Sequence, residues 1–287
     1  MIETLPYCVI GDPIEHSLSP VIHNYIFSRM GFSASYEKVY VVSSDLPRFV
    51  EETLTKKRPG FNVTIPHKES IMPLLDAIDP AAEHIGAVNT VVNRNGHLTG
   101  YNTDVYGCMR ALERAGFSSK GKGILLGAGG AARAAIEALG RMGLSEIVLF
   151  DLVRERCQIL SNHFSPLHPM KITIGFFENK DLETHLPGAD LLINATPVGM
   201  WPKVHQSPLP CPEFFPEKAT IFDMIYRPME TQLMKDVSSK QAVTVSGLTM
   251  LVGQAIAADE LYFDCQIPEH LFQETITEVN HFLSSHQ

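Results

Sequence analysis

Short apolar runs punctuate the first hundred positions. Residues 7–10, 36–42 and 60–64 have the pattern of strands, and the segments between them carry helical spacing. Asn95-Gly96 separates two further strand-like stretches, residues 90–93 and 98–102. A tight hairpin is expected there, because Asn-Gly readily takes the positive φ that such turns need. A helix over residues 105–115 follows. From residue 123 a second series begins, with six strand candidates at residues 123–126, 146–150, 171–174, 190–194, 220–224 and 243–245, each separated from the next by a crossover-length segment. That alternation predicts a parallel, doubly wound sheet. Residues 249–283 are mostly helical in pattern and are expected to pack back on the first domain. The fold class is therefore α/β in two domains: one of residues 1–104 plus 247–287, and a second of residues 105–246 between its two parts.

Composition agrees with a folded, water-soluble chain. Its 287 residues suffice for two domains of ordinary size, and 45% hydrophobic with 19% charged residues is a globular balance. The net charge of −9 repels phosphate backbones and gives no support for a nucleic-acid partner. No basic segment followed by an apolar stretch opens the chain, and the charge-free run 241–258 is broken by several polar residues and glycines, a poor membrane span. A cytoplasmic protein with no membrane partner is expected. Five cysteines (Cys8, Cys108, Cys157, Cys211, Cys265) lie far apart with no C-x-x-C pair and read as reduced thiols. No clustered His/Cys spacing calls for a metal, and His23 and His67 read as ordinary histidines. Residues 202–216 hold five of the 19 prolines and read as an ordered loop.

Gly127-Ala128-Gly129-Gly130-Ala131-Ala132 fits G-x-G-x-x-A, in which small residues allow a tight turn, a close backbone approach to pyrophosphate and close helix-to-strand packing. Glycine-rich turns also occur as plain connections, but here the context is specific. Ile124-Leu125-Leu126 precedes the motif as a buried strand, and Ala132, Ala135, Ile136, Leu139 and Met142 follow at helical spacing. The next strand ends on Asp151, 24 residues after Gly127, where a carboxylate can accept hydrogen bonds from ribose hydroxyls and repel a 2′-phosphate. NAD is therefore expected over NADP. An ordinary strand-end aspartate is the plainer reading of Asp151, and Arg154 and Arg156 could still meet a phosphate. The unit implies a Rossmann-type domain in a nicotinamide-dependent oxidoreductase.

Three polar segments of the first domain stand at expected loop-to-helix junctions: Ser17-Leu18-Ser19-Pro20, Asn62-Val63-Thr64-Ile65-Pro66-His67-Lys68 and Asn102-Thr103-Asp104. Ser19 before Pro20 suits a helix cap, and a helix start bearing two hydroxyls also suits a small carboxylate. Lys68 is expected in the first turn of a helix, where the positive end of the dipole disfavours an ammonium ion and favours an acid–base role. A solvated surface charge is the plain alternative for Lys68, and an N-cap for Asp104. Alcohol oxidation needs a proton acceptor as hydride leaves, which a lysine oriented by a carboxylate could be. No tyrosine is followed four positions later by lysine, and the cysteines offer no catalytic zinc site, so other dehydrogenase chemistries are less well supported.

With Gly86-Ala87-Val88-Asn89-Thr90, Asn194-Ala195-Thr196-Pro197-Val198-Gly199-Met200 and Gly247-Leu248-Thr249-Met250-Leu251-Val252-Gly253-Gln254 added, these blocks resemble, in order and over nearly the whole chain, the shikimate dehydrogenase family. The resemblance implies reversible reduction of 3-dehydroshikimate to shikimate, a step of aromatic amino-acid biosynthesis. By the same resemblance Lys68 is the general acid or base and Asp104 holds it. Ser17 and Ser19 take the substrate carboxylate, and Thr64, Asn89, Tyr226 and Gln254 complete the contacts to the ring. Asn194, Thr196, Met200, Gly247 and Arg154 join the glycine turn around the cofactor. Gln254 could equally be a satisfied structural glutamine, Asn194 and Thr196 a capped turn, and Met200 a core side chain. Asp151-Leu152-Val153-Arg154 departs from the Asn-Arg-Thr type of run in NADP-dependent members and is more like members that use NAD and accept quinate. An NAD-dependent quinate/shikimate dehydrogenase is thus one alternative, and a non-catalytic binding or regulatory protein another; in each case a monomer or homodimer is expected.

Overall fold

A computed structural model of the chain describes residues 4–209 and 212–285. Pro210 and Cys211, within the proline-rich stretch, lie outside the described residues. The chain forms two compact units, Met1–Tyr106 with Val252–Gln287, and Gly107–Leu251.

The first unit is built on a six-stranded mixed sheet. Its strands are β1 (Leu5–Gly11), β2 (Ala34–Tyr40), β3 (Gly60–Val63), β4 (Ala77–Ile78), β5 (Thr90–Arg94) and β6 (His97–Tyr101), in the order β2-β1-β3-β5-β6-β4. β1 runs parallel to both neighbours, whereas β3, β5 and β6 pair antiparallel. A strand buried on both faces needs a near-continuous apolar run, and β1 has one. Cys8 and Ile10 pack into one cluster with Phe61, Val63 and Val91, while Tyr7 and Val9 pack into another with Phe27, Tyr36 and Tyr262. The β5–β6 hairpin turns at Asn95 and Gly96, both with positive φ (55° and 90°), the requirement of the expected turn. The helices of this unit before the crossing are α1 (Ser19–Met30), α2 (Leu46–Thr55) and α3 (Pro80–Ile85), and the last two helices of the chain return to it. The chain crosses from one unit to the other within α4 (Asp104–Arg114), and from the second back to the first within a later helix.

The second unit holds β7 (Lys122–Leu126), α5 (Gly130–Met142), β8 (Glu146–Phe150), α6 (Arg154–Phe164), β9 (Lys171–Ile174), α7 (Asn179–His185), β10 (Leu191–Asn194), β11 (Thr220–Asp223), α8 (Gln232–Asp236) and β12 (Val243–Ser246). Its strands are all parallel, in the order β12-β11-β10-β7-β8-β9. Numbered within the unit this is the doubly wound Rossmann order, whose switch point lies between β7 and β10. Ile124, Leu126, Val148, Phe150, Leu192 and Ile221 alternate along their strands into one apolar cluster. α9 (Gly247–Phe263) and α10 (Glu269–Ser285) complete the chain. Among the described residues no helix is long and apolar enough to cross a membrane.

Candidate active site

In the first unit, the segments 62–68 and 102–104 meet where β3 ends and β5 begins. Thr64 follows β3 and its amide donates to the Ile10 carbonyl. Gly11 is required opposite it, since a Cβ there would lie 2.6 Å from the Thr64 methyl. Lys68 does not sit in a helix. It lies in a series of turns: its carbonyl accepts the Val88 amide at 2.8 Å, and the Met72 amide, which a helix would direct to it, donates to the Glu69 carbonyl instead. The expected dipole effect on Lys68 is therefore absent. Its Nζ instead donates to Oδ2 of Asp104 at 2.6 Å, with side-chain exposures of 30% and 19%. Asp104 opens α4, where the helix dipole favours its negative charge, and its amide donates to Oδ1 of Asn102.

Asn89 is buried beside this pair. Its Oδ1 accepts the Thr103 amide at 2.7 Å and the hydroxyls of Thr90 and Thr103 at 2.9 and 3.2 Å. The same Thr103 hydroxyl, which has one proton to give, lies 3.4 Å from Oε1 of Gln254 as its alternative acceptor. Ser17 and Ser19 share a 3.2 Å hydroxyl contact, and Oγ of Ser17 accepts the Ser19 amide. Ser19 is thus the first residue of α1 rather than its cap, because the turn before it is closed by Ser17. Lys68, Asp104, Asn89, Thr103 and Gln254 form one neighbourhood, with Ser17 and Ser19 paired at the start of α1.

In the second unit, a cavity of about 580 Å³ opens at the switch point and is lined by Gly127, Ala128, Gly129, Asp151, Arg156 and Thr196, among others. Gly127 has φ +96°, and a Cβ on it would meet the Ala195 backbone at 3.0 Å, so only glycine fits. Gly129 and Gly130 face open space, where a Cβ would meet nothing within 4 Å. That space, at the N-terminus of α5 with its unpaired first-turn amides, suits a pyrophosphate. Ala131 is exposed in the same turn. Asn194, fully buried at the end of β10, accepts the Thr196 amide and hydroxyl through Oδ1 at 3.0 and 2.7 Å and donates to Asp223 at 3.0 Å. Met200 is 46% exposed, which removes the core reading. Gly247 packs against backbone: a Cβ there would lie 2.1 Å from the Met224 carbonyl oxygen. Tyr226 follows β11, half-buried, its phenol pushed up by burial and partly restored by Arg227.

Asp223 was not singled out from the sequence. It is fully buried, burial pushes its carboxyl up, and it accepts from Thr231, Ile225 and Asn194. The available signal was a carboxylate ending an apolar strand, the same signal that drew attention to Asp151.

Residues 9–91 match the family model described as the shikimate dehydrogenase substrate binding domain. A shikimate dehydrogenase (NADP+) of Moorella thermoacetica is 38% identical over 271 residues, covering 94% of this chain and 92% of that protein. The chain belongs to the shikimate dehydrogenase family. The corresponding NADP+ enzyme of Methanopyrus kandleri is 38% identical, with 96% of both chains covered. Two solved family structures are closely similar. Shikimate 5-dehydrogenase of Listeria monocytogenes in complex with shikimate and NAD has a TM-score of 0.90, 32% identity and 96% coverage of both chains. The Thermus thermophilus enzyme in complex with NADP(H) and shikimate has a TM-score of 0.84, 34% identity and coverage of 95% of this chain and 98% of that one.

The expected preference for NAD is corrected by these relatives, since the curated ones are NADP+ enzymes and the Thermus structure holds NADP(H). The physical reason is the use made of Asp151. Its Oδ2 accepts the Ala128 amide and its Oδ1 the Val153 amide, both at 2.8 Å, so the carboxylate is engaged in closing the turn. Arg156 lines the same cavity and supplies a cation beside it, while the Arg154 guanidinium lies 4.1 Å over the Phe176 ring.

Proposed function

We propose that this chain is a shikimate dehydrogenase, interconverting shikimate and 3-dehydroshikimate with NADP as cofactor. The observation that carries the reading is the Lys68–Asp104 contact of 2.6 Å, set beside the buried Asn89–Thr103–Gln254 cluster. In the oxidation direction Lys68 accepts the proton of the substrate hydroxyl while hydride leaves the same carbon, so that a carbonyl forms. In the reverse direction its ammonium returns that proton to the forming alkoxide. Asp104 orients Nζ.

Ser17 and Ser19 donate hydroxyls to the substrate carboxylate. Thr64, Asn89 and Gln254 fix the ring hydroxyls; with Oδ1 of Asn89 engaged by its neighbours, its amide Nδ2 is the group offered to a ligand. On the second unit, Gly127, Ala128, Gly129, Gly130 and Ala131 would cradle the pyrophosphate, and Arg156, with Arg154 nearby, would meet the 2′-phosphate. Asn194, Thr196, Met200 and Gly247 would border the rest of the cofactor, and Asp151 would shape the turn beneath it. When bound, the nicotinamide supplies hydride exchange with the carbinol carbon. The first unit is accordingly the substrate-binding domain and the second the cofactor domain. The test is to mix the purified protein with shikimate or quinate and NADP+ and to follow NADPH by absorbance. Turnover of shikimate is expected, and its absence would leave a non-catalytic binding protein.

A further inference from the structure

A buried polar circuit runs through the first unit behind the residues assigned to the substrate. His23, one turn after Ser19 on α1, and Asp259 on α9 are both fully buried and are joined by a hydrogen bond of 2.6 Å between Nδ1 and Oδ1. Their other polar atoms, Nε2 and Oδ2, have no partner among the described residues, so each depends on the other. The His23 ring stacks on Tyr36, with centroids 4.0 Å apart and planes at 10°. The hydroxyls of Tyr36 and Tyr262 both donate to Oδ1 of Asn62, at 2.6 and 2.9 Å. Nδ2 of Asn62 donates to the Asn89 carbonyl and to Oγ1 of Thr90, at 3.1 and 2.9 Å. Thr90 and Thr103 hydroxyls lie 3.1 Å apart, and Thr103 reaches Gln254. Gln254 and Asp259 lie on the same helix, α9, five residues apart, so the backbone of that helix joins the two ends of the series.

Such a circuit is an expensive way to fill a core. Ionisable groups taken out of water cost more than apolar side chains of similar volume, and replacing a buried pair by such side chains is often neutral or stabilising. Apolar contacts, however, leave neighbouring helices free to slide by a fraction of a turn, whereas a connected polar network specifies one arrangement. The elements this network ties together carry the proposed substrate contacts of the unit: the start of α1 with Ser17 and Ser19, the start of β5 with Asn89, and α9 with Gln254. Neither His23 nor Asp259 has any exposed surface, so neither can touch a ligand entering from solvent.

We propose that the His23–Asp259 pair is a positioning device for the reaction, setting the spacing between the start of α1, Asn89 and Gln254 without contacting the substrate. The inference rests on the shikimate reading given above. The decisive variant is the apolar double substitution His23→Leu with Asp259→Leu, which fills the volume and is expected to fold with an unchanged or higher melting temperature. Its kcat/KM for shikimate is expected to fall at least about tenfold while the KM for NADP+ stays unchanged. Asp259→Asn can still accept from Nδ1 and is expected to recover most of that loss. A stable double variant with wild-type kcat and KM for shikimate would overturn the proposal, as would an Asp259→Asn variant no better than the double one. Amide hydrogen exchange of the ligand-free protein gives a readout that needs no turnover. Faster exchange at the start of α1 and around Gln254 in the double variant supports the device, and unchanged protection in both places refutes it. Failure of the wild-type protein to oxidise shikimate would instead refute the functional reading, and the exchange comparison would still decide this one.

Discussion

Replacing Lys68 by Ala separates chemistry from folding. A positioned general acid or base contributes about 10²–10⁴ in rate, or roughly 3–5 kcal/mol of barrier at 1.36 kcal/mol per tenfold. The structural loss is much smaller. Both partners of the Lys68–Asp104 pair are partly exposed, at 30% and 19%, and solvent screening at such a site limits the pair to about 0–1 kcal/mol. Asp104, left alone at the start of α4, keeps the favourable end of the helix dipole and can be hydrated. Lys68→Ala is therefore expected to melt within a few degrees of the wild type and to bind shikimate within a few-fold of it, yet to lose at least about a hundredfold in kcat. Steady-state NADPH formation with varied shikimate, together with a direct binding titration, measures both quantities. A drop in kcat of less than tenfold, or an effect confined to KM, would refute proton transfer by Lys68.

Three further outcomes are expected. Gly247→Ala places a Cβ 2.1 Å from the Met224 carbonyl oxygen, a backbone atom that cannot swing aside; it should destabilise the protein by about 1–3 kcal/mol or more, and an unchanged denaturation midpoint would show that this segment yields easily. Arg156→Ala should raise the KM for NADP+ by about 5–30-fold, equivalent to about 1–2 kcal/mol for a lost charge-assisted contact, with the KM for shikimate unchanged; equal effects on both would argue against a phosphate contact. Glu137 is almost fully buried, and although burial raises its pKa, hydrogen bonds from Arg141 and His168 outweigh that and leave it lowered. A carboxyl lowered on folding stabilises the native state above its unfolded pKa of about 4.3 and loses that contribution as pH falls through the folded value. The stability gap between wild type and Glu137→Gln should therefore narrow from pH 6 to pH 3, and a constant gap would contradict the charge assignment.

The strands were the most legible elements because a two-residue period or a bounded apolar run survives in the sequence. β4, Ala77–Ile78, was not legible, since two residues carry no period; it exists by pairing with β6. The glycine turn was legible because its steric demands act on the same few residues that carry them. What failed depended on partners distant in sequence. A helix at Lys68 looked natural after Pro66, but Val88, twenty positions on, takes the Lys68 carbonyl. Asp151 looked free to meet a ribose, but the glycine turn after the neighbouring strand β7 presents the Ala128 amide to it. The circuit through His23 and Asp259 spans 236 positions, and neither residue carries a local signal that sets it apart from an ordinary core histidine or helix aspartate.

The placement of the proposed functional groups follows from strand direction in each unit. In the second unit the last residues of neighbouring parallel strands stand in register, Leu126 beside Asn194, Asn194 beside Asp223 and Asp223 beside Ser246. Every loop that leaves that edge therefore starts from the same level, and Gly127, Thr196 and Gly247 each lie within two residues of it. In the first unit β1 and β3 are parallel, with Ile10 beside Val63, so Gly11 and Thr64 emerge together. β5 runs the other way, which brings its first residue, Thr90, beside Asn62 and sets Asn89 next to the end of β3. Parallel strands leave their carboxyl ends open because each crossover must travel back along the sheet before the next strand begins, and ligands bind in the crevice so formed. The polar motifs fall just after predicted strands for that reason, and the buried polar side chains of Asn89, Asn194 and Asp223 are tolerated where they are because the loops they meet supply their hydrogen bonds.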